Sequence, residues 1–140
     1  MSNIINETEE LELDRIMGVS PAEDRYLAIF PDTKSEVELE AGDMTGEITE
    51  YAGDRPALVY SASTQVNGMA QSANTAEIQF ETMPAATVGY VMVVGMPTGT
   101  VGAKKVWKPI TDVSENPAPR TIQAGDRLVF QVGELKFRLD

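Results

Sequence analysis

Cysteine and histidine are both missing from this chain. Their absence excludes disulfides, thiolate nucleophiles, imidazole bases and the common structural zinc sites. Stability must therefore come from packing and backbone pairing. Aromatic residues are scarce as well, at 6% with one tryptophan, so few large anchors can fill a core. No apolar run approaches the roughly 20 residues of a membrane-spanning helix, and no membrane partner is expected. The first residues, Met1–Asp14, are acidic where a secretory signal would be basic and then apolar, so the expectation is a chain made and kept in a cytoplasm.

Basic residues are few, and their distribution is uneven. Residues 1–50 hold 14 acids against Arg15, Arg25 and Lys34, whereas residues 51–140 hold eight of each sign. The whole net charge of −11 therefore sits in the first third. Such a surface repels phosphate, which argues against a nucleic-acid partner. It reads as a solvated face or as a docking face for a basic partner.

At 140 residues, 42% hydrophobic and 24% charged, the chain has the size and composition of one globular domain. The pattern predicts an acidic helical arm over residues 1–20 and a single β-sandwich domain over residues 21–140. Ile4–Met17 reads as a short helix, with Asn6 or Thr8 as its cap and Gly18 as its stop. Its narrow stripe of Leu13, Ile16 and Met17 must dock on its own sheet or on a neighbouring subunit.

Short strands follow. Arg25–Phe30 is one, ended by Pro31. Glu36–Glu40 is an edge strand or part of a loop, and Ala41–Asp54 is a polar stretch anchored by Ile48 and Tyr51. Ala57–Ser61 is a further strand, and Thr64–Asn74 an exposed connection. Glu77–Glu81 alternates cleanly, and Thr87–Met96 is apolar enough for a central strand buried on both faces. Ala103–Ile110 returns, and Thr111–Pro119 is a loop. The last twenty residues promise a hairpin: Arg127–Val132 and Leu135–Asp140 flank Gly133-Glu134, which suits a type II′ turn. That register places Val132 opposite Leu135, Phe130 opposite Phe137 and Leu128 opposite Leu139, all six on one dry side. Seven or eight such strands predict a mainly β fold, an antiparallel β-sandwich or jelly-roll-like barrel with a short N-terminal helix. The repeated Ala-Gly-Asp-Arg, at residues 52–55 and 124–127, reads as two separate Gly-Asp turns.

Little here points to catalysis. The acid pairs Asp43 with Glu47, Glu23 with Asp24, and Asp112 with Glu115 lie in polar segments, where the burial that raises a catalytic carboxyl's pKa is not expected. The acidic loop Glu36–Asp43 offers oxygen ligands but matches no calcium-loop spacing. Ser61 and Ser63 have no lysine nearby to serve as base. No catalytic residue, metal or cofactor is therefore expected. The one basic cluster is Lys104, Lys105 and Lys108 around Trp107; alternation puts Lys104 and Lys108 on one side of the strand. Leu13, Ile16, Met17, Lys104 and Lys108 form the candidate partner interface.

Several stretches, taken in order, resemble a family of small tailed-phage virion proteins, tail-fibre-like and related in style to head-decoration proteins. The resemblance runs through the short N-terminal helix, the strand at Tyr26–Phe30 and the acidic glycine-bearing loop after it. It continues in Asn-Thr-Ala-Glu-Ile-Gln-Phe at residues 74–80, the apolar strand Val88–Val94, and the closing Thr121–Asp140 with its Ala-Gly-Asp. The chain departs from the pattern at Met96–Gly99 and in the longer loop Thr111–Pro119, the loops that would meet partners. The resemblance implies a non-enzymatic virion component made in the host bacterial cytoplasm. The expected role is a capsid decoration or cement protein, trimeric, bound to the major capsid protein. A short tail-fibre or tail-tip component is the alternative. From other classes come a carbohydrate-binding β-sandwich using Trp107 and Tyr51 as a sugar platform, and a small enzyme.

Overall fold

The computed structural model of the protein describes residues 5–99 and 104–139. Ile4, Ala103 and Asp140, which the sequence assigns to element ends, lie outside the described residues. The chain has a mainly β fold of antiparallel sheets with a short N-terminal helix, consistent with a sandwich. Its spine is β5 (Ala86–Val94). β1 (Tyr26–Pro31) pairs along one edge of β5; β6 (Lys104–Pro109) and β7 (Arg120–Ile122) share the other.

β5 is apolar on both faces because both are covered. Val91 and Val93, with Leu27 and Ile29 of β1, face the larger core. Met92 and Val94, with Ala28 and Phe30, face a smaller core that Leu39, Met44 and Trp107 close. Leu39 arrives on a helix, α2 (Glu36–Glu40), where the sequence suggested an edge strand or loop. A capping box explains the difference. Glu38 N–H donates to Ser35 Oγ at 3.1 Å, and Ser35 N–H donates to Glu38 Oε1 at 3.3 Å. Two orphan donors find partners within four residues, which outweighs a brief alternation of Val37 and Leu39.

β2 (Thr64–Val66), β3 (Met69–Ala73) and β9 (Lys136–Leu139) form a second sheet, and β4 (Ile78–Phe80) pairs with β8 (Leu128–Phe130). Thr64–Asn74 is therefore a hairpin rather than an exposed connection. Asn67 and Gly68, at φ 50° and 80°, make the left-handed turn that the Asn-Gly pair favours. Ala57–Ser61, expected as a strand, is held only by isolated bridges. Its backbone bonds are divided: Leu58 N–H donates to Arg25, Ser61 N–H to Ala73, and no one neighbour supplies a ladder.

The terminal hairpin does not form. β8 pairs with β4 and β9 with β3, and no ladder joins β8 to β9. The turn spans Gln131–Glu134, closed by Glu134 N–H to the Gln131 carbonyl at 3.0 Å, with Gly133 (φ 79°) at its third position. That is the type II pattern, one residue out of step with the expected turn. Val132 now lies within the turn and is exposed, while Leu128, Phe130, Leu135 and Phe137 are buried as expected. Both Ala-Gly-Asp-Arg copies contain a left-handed glycine, Gly53 and Gly125.

α1 (Asn6–Ile16) starts after Ile5, which offers no side-chain cap, so neither Asn6 nor Thr8 caps it. It ends at Gly18 (φ 72°) in a Schellman arrangement: Val19 N–H donates to the Asp14 carbonyl at 2.8 Å and Gly18 N–H to that of Arg15 at 3.3 Å. Leu13 and Met17 are buried in the larger core with Ala70 and Phe137. Ser63 adds two ties, its N–H to Asp14 Oδ1 at 2.7 Å and its Oγ to the Glu10 carbonyl at 2.9 Å. The helix thus docks on its own sheet, one of the two docks its apolar stripe allowed.

Candidate functional site

The acidic first third is more one-sided in space than in sequence, because two of its three cations point inward. Arg25 is buried and caps the end of α1: its Nε donates to the Ile16 carbonyl at 2.8 Å and Nη2 to that of Arg15 at 3.2 Å. Those are the carbonyls a helix leaves unpaired, at its negative end. Lys34 is buried too, its Nζ donating to the Thr45 carbonyl at 2.6 Å and lying 5.6 Å from the Phe30 ring centroid. Arg15 alone of the three stays exposed, paired with Glu12 at 2.6 Å. Asp43 accepts from Thr45 N–H at 2.8 Å, which holds its carboxyl below the usual range. The outward surface there is left to carboxylates.

Elsewhere lies a cleft of about 830 Å³, bounded by β6, β9, the loop 111–119 and the turn at Gly133. Four cations line it: Lys108, Arg120, Lys136 and Arg138. Asp112 shapes the loop, its Oδ1 accepting from Ser114 N–H at 2.9 Å and Asn116 N–H at 3.1 Å. Glu115 then reaches Arg138 at 2.5 Å, and this hydrogen bond lowers its carboxyl pKa and raises that of the guanidinium. Arg120 pairs with Glu134 at 2.8 Å and rests 4.7 Å from the Phe130 ring centroid. Lys108 donates to the Lys136 carbonyl at 3.0 Å; burial pushes its ammonium pKa down, and Arg138 and Lys136 add to the effect. Two apolar side chains flank the opening without cover, Val113 at 103% and Val132 at 63% exposure. Fixed cations with an apolar rim make a surface suited to an acidic, partly apolar partner.

The structure separates the residues that the sequence grouped as a partner interface. Leu13 and Met17 are buried in their own core and Ile16 packs against it, so the fold itself occupies that stripe. Lys104 and Lys108 do not share a side. Val93 pairs with Val106 and Val94 with Lys104, so Lys105 is an extra residue in β6. This bulge reverses the alternation and leaves Lys104 on the Trp107 side, near Gly42, while Lys108 lines the cleft. The cleft's other cations are far from Lys108 in sequence. The signals that could have found them were the departing loop Thr111–Pro119 and the wet side of the last strand, which carries Lys136 and Arg138.

Trp107 and Tyr51 form no common platform. Tyr51 is buried edge-on to Phe80, ring centroids 4.9 Å apart, and burial pushes its hydroxyl pKa up to about 12. Trp107 belongs to the smaller core, across the central sheet, where its Nε1–H donates to Glu40 Oε1 at 2.7 Å. The acid pairs are spoken for locally. Glu47 is bound by buried Arg55 at 2.7 and 2.8 Å, Glu23 pairs with Arg25, and Glu115 with Arg138. Among the described residues no group of three or more acids is placed to hold a metal, and no helix is long and apolar enough to cross a membrane. No protein-family model, curated protein or solved structure matches the chain significantly.

Proposed function

We propose that this chain is a non-enzymatic structural protein of a phage virion, a decoration or cement protein on the outer head surface. It is made in the bacterial cytoplasm, works as a homo-oligomer with a trimer favoured, and binds the major capsid protein without a cofactor. The ordered resemblance to small virion proteins is the starting point. The structural observation that supports it is the segregation of charge. One surface carries carboxylates whose neighbouring cations are turned inward, and another offers a cationic cleft with exposed valines. A decoration protein needs such a division, since one side faces water while another grips a neighbour.

The test is incubation of the purified chain with empty capsids. The expected result is saturable binding that raises capsid resistance to heat or chaotrope. Recovery of the protein only on isolated tails would replace this reading with the tail-fibre one. Glycan binding lost on Trp107→Ala would replace it with a carbohydrate-binding module.

A further inference from the structure

Within the cleft, Arg120 and Arg138 each hold a carboxylate, but among the described residues Lys108 and Lys136 belong to no ion pair. The rim valines have no role in the core. A surface of this composition calls for an occupant with carboxylates and at least one apolar side chain. The chain carries one. α1 turns Glu7 and Leu11 outward on one face, four residues apart, with Ile5 just before the helix. Leu11 is 60% and Ile5 73% exposed, on a helix whose one cation, Arg15, is exposed and paired with Glu12.

A molecule cannot place its own α1 in its own cleft. β9 points Phe137 into the core that Leu13 and Met17 of α1 help close, and points Lys136 and Arg138 the other way, into the cleft. Helix and cleft lie on opposite sides of one sheet.

We propose that copies of this chain associate head to tail, the acidic outer face of α1 in one copy seating in the cationic cleft of the next. Carboxylates such as Glu7 meet Lys136 and Lys108, and Leu11 packs on Val113 and Val132. The lowering of the Lys108 pKa by burial, and then by Arg138 and Lys136, fits this arrangement, since an arriving carboxylate would ease that charge. The contact is heterologous, so it either closes into a ring or extends as a filament.

Sedimentation of the full chain tests this. Wild-type protein should self-associate, with affinity falling roughly tenfold or more between about 0.05 and 0.5 M salt. Lys136→Glu should yield monomers with an unchanged melting temperature, and so should Val113→Asp, whose side chain is fully exposed and touches no core. A Glu7→Gln, Leu11→Gln variant should also be monomeric alone. Mixed with Lys136→Glu, it should form one-to-one pairs and nothing larger, since only one intact helix and one intact cleft remain. Wild-type protein that stays monomeric at low salt would overturn the proposal. So would association that survives both cleft variants, or two monomeric variants that fail to combine. Association and capsid binding are separable. Self-association by a chain that ignores capsids removes the decoration reading alone; capsid binding by a chain that stays monomeric removes this proposal and the homo-oligomer with it, and leaves the decoration reading standing.

Discussion

Two glycine-bearing connections in this chain fold opposite to how they read. Asn67-Gly68 joins β2 to β3 as a true hairpin, and Gly133-Glu134, flanked by better alternation, does not join β8 to β9. The difference is a second asparagine, Asn74, which is 1% exposed. Its Nδ2 donates to the carbonyls of Ala76 and Gln131, both at 2.9 Å, and its Oδ1 accepts from Leu135 N–H at 3.0 Å. Its own carbonyl takes Gly133 N–H at 2.8 Å. One buried side chain thus binds the main chain on both sides of the turn, the Gln131 carbonyl before it and the Leu135 N–H after it. With its start so engaged, β9 turns to β3, while β8 runs along β4. Local turn chemistry decides an exposed connection, and a buried polar hub overrides it where water cannot serve as substitute.

The contrast can be broken in graded steps. Phe130→Ala should cost the most, about 3–5 kcal/mol in denaturant unfolding, because the ring is fully buried. It strikes the core shared by both regions, so it sets the upper scale. Asn74→Ala should cost roughly 3 kcal/mol by leaving several buried backbone groups without partners. Hydrogen exchange should then speed up at Gly133 and Leu135 while the Asn67-Gly68 hairpin keeps its protection; equal loss at both sites would sink the hub account. Gly68→Ala and Gly133→Ala should each cost only about 1–2 kcal/mol, since both sites are left-handed yet open to an added methyl.

The smallest effect is in pH. Glu115 has a folded pKa depressed by its hydrogen bond from Arg138, so its bridge is fully formed above the ordinary glutamate range. The bridge is lost as pH falls below that range, through the folded value. NMR titration of the Glu115 carboxyl should show this, and Arg138→Gln should return it to the ordinary range. The Asn67-Gly68 turn, with no ionisable side chain of its own, should not respond.

Much of the fold was legible because alternation reports which face a side chain takes. It marked Ile78 and Phe80, the two-faced β5, and the burial of Leu128, Phe130, Leu135 and Phe137. Alternation does not report which strand lies alongside, and that is where the terminal stretch misled. α2 was hidden because a five-residue helix has too few turns to show a period, and only Ser35 and Glu38 announce it. The candidate site was the least legible part. Lys108, Arg120, and the pair Lys136 and Arg138 are drawn from three strands far apart in sequence, and the extra residue in β6 undid the pairing of Lys104 with Lys108.

The inward placement of Arg25 and Lys34 has a consequence before any contact is made. These cations offset only their nearest carboxylates, Glu23, Glu38 and Asp43, so most of the acids of the first third keep their field. On the head-to-tail proposal, the acidic first third is the negative end of each molecule, and the cleft, where four cations face three acids, is the positive one. Two such molecules diffusing together repel when like ends approach and are turned toward unlike ends, so orientation is selected at long range and fades as salt is added.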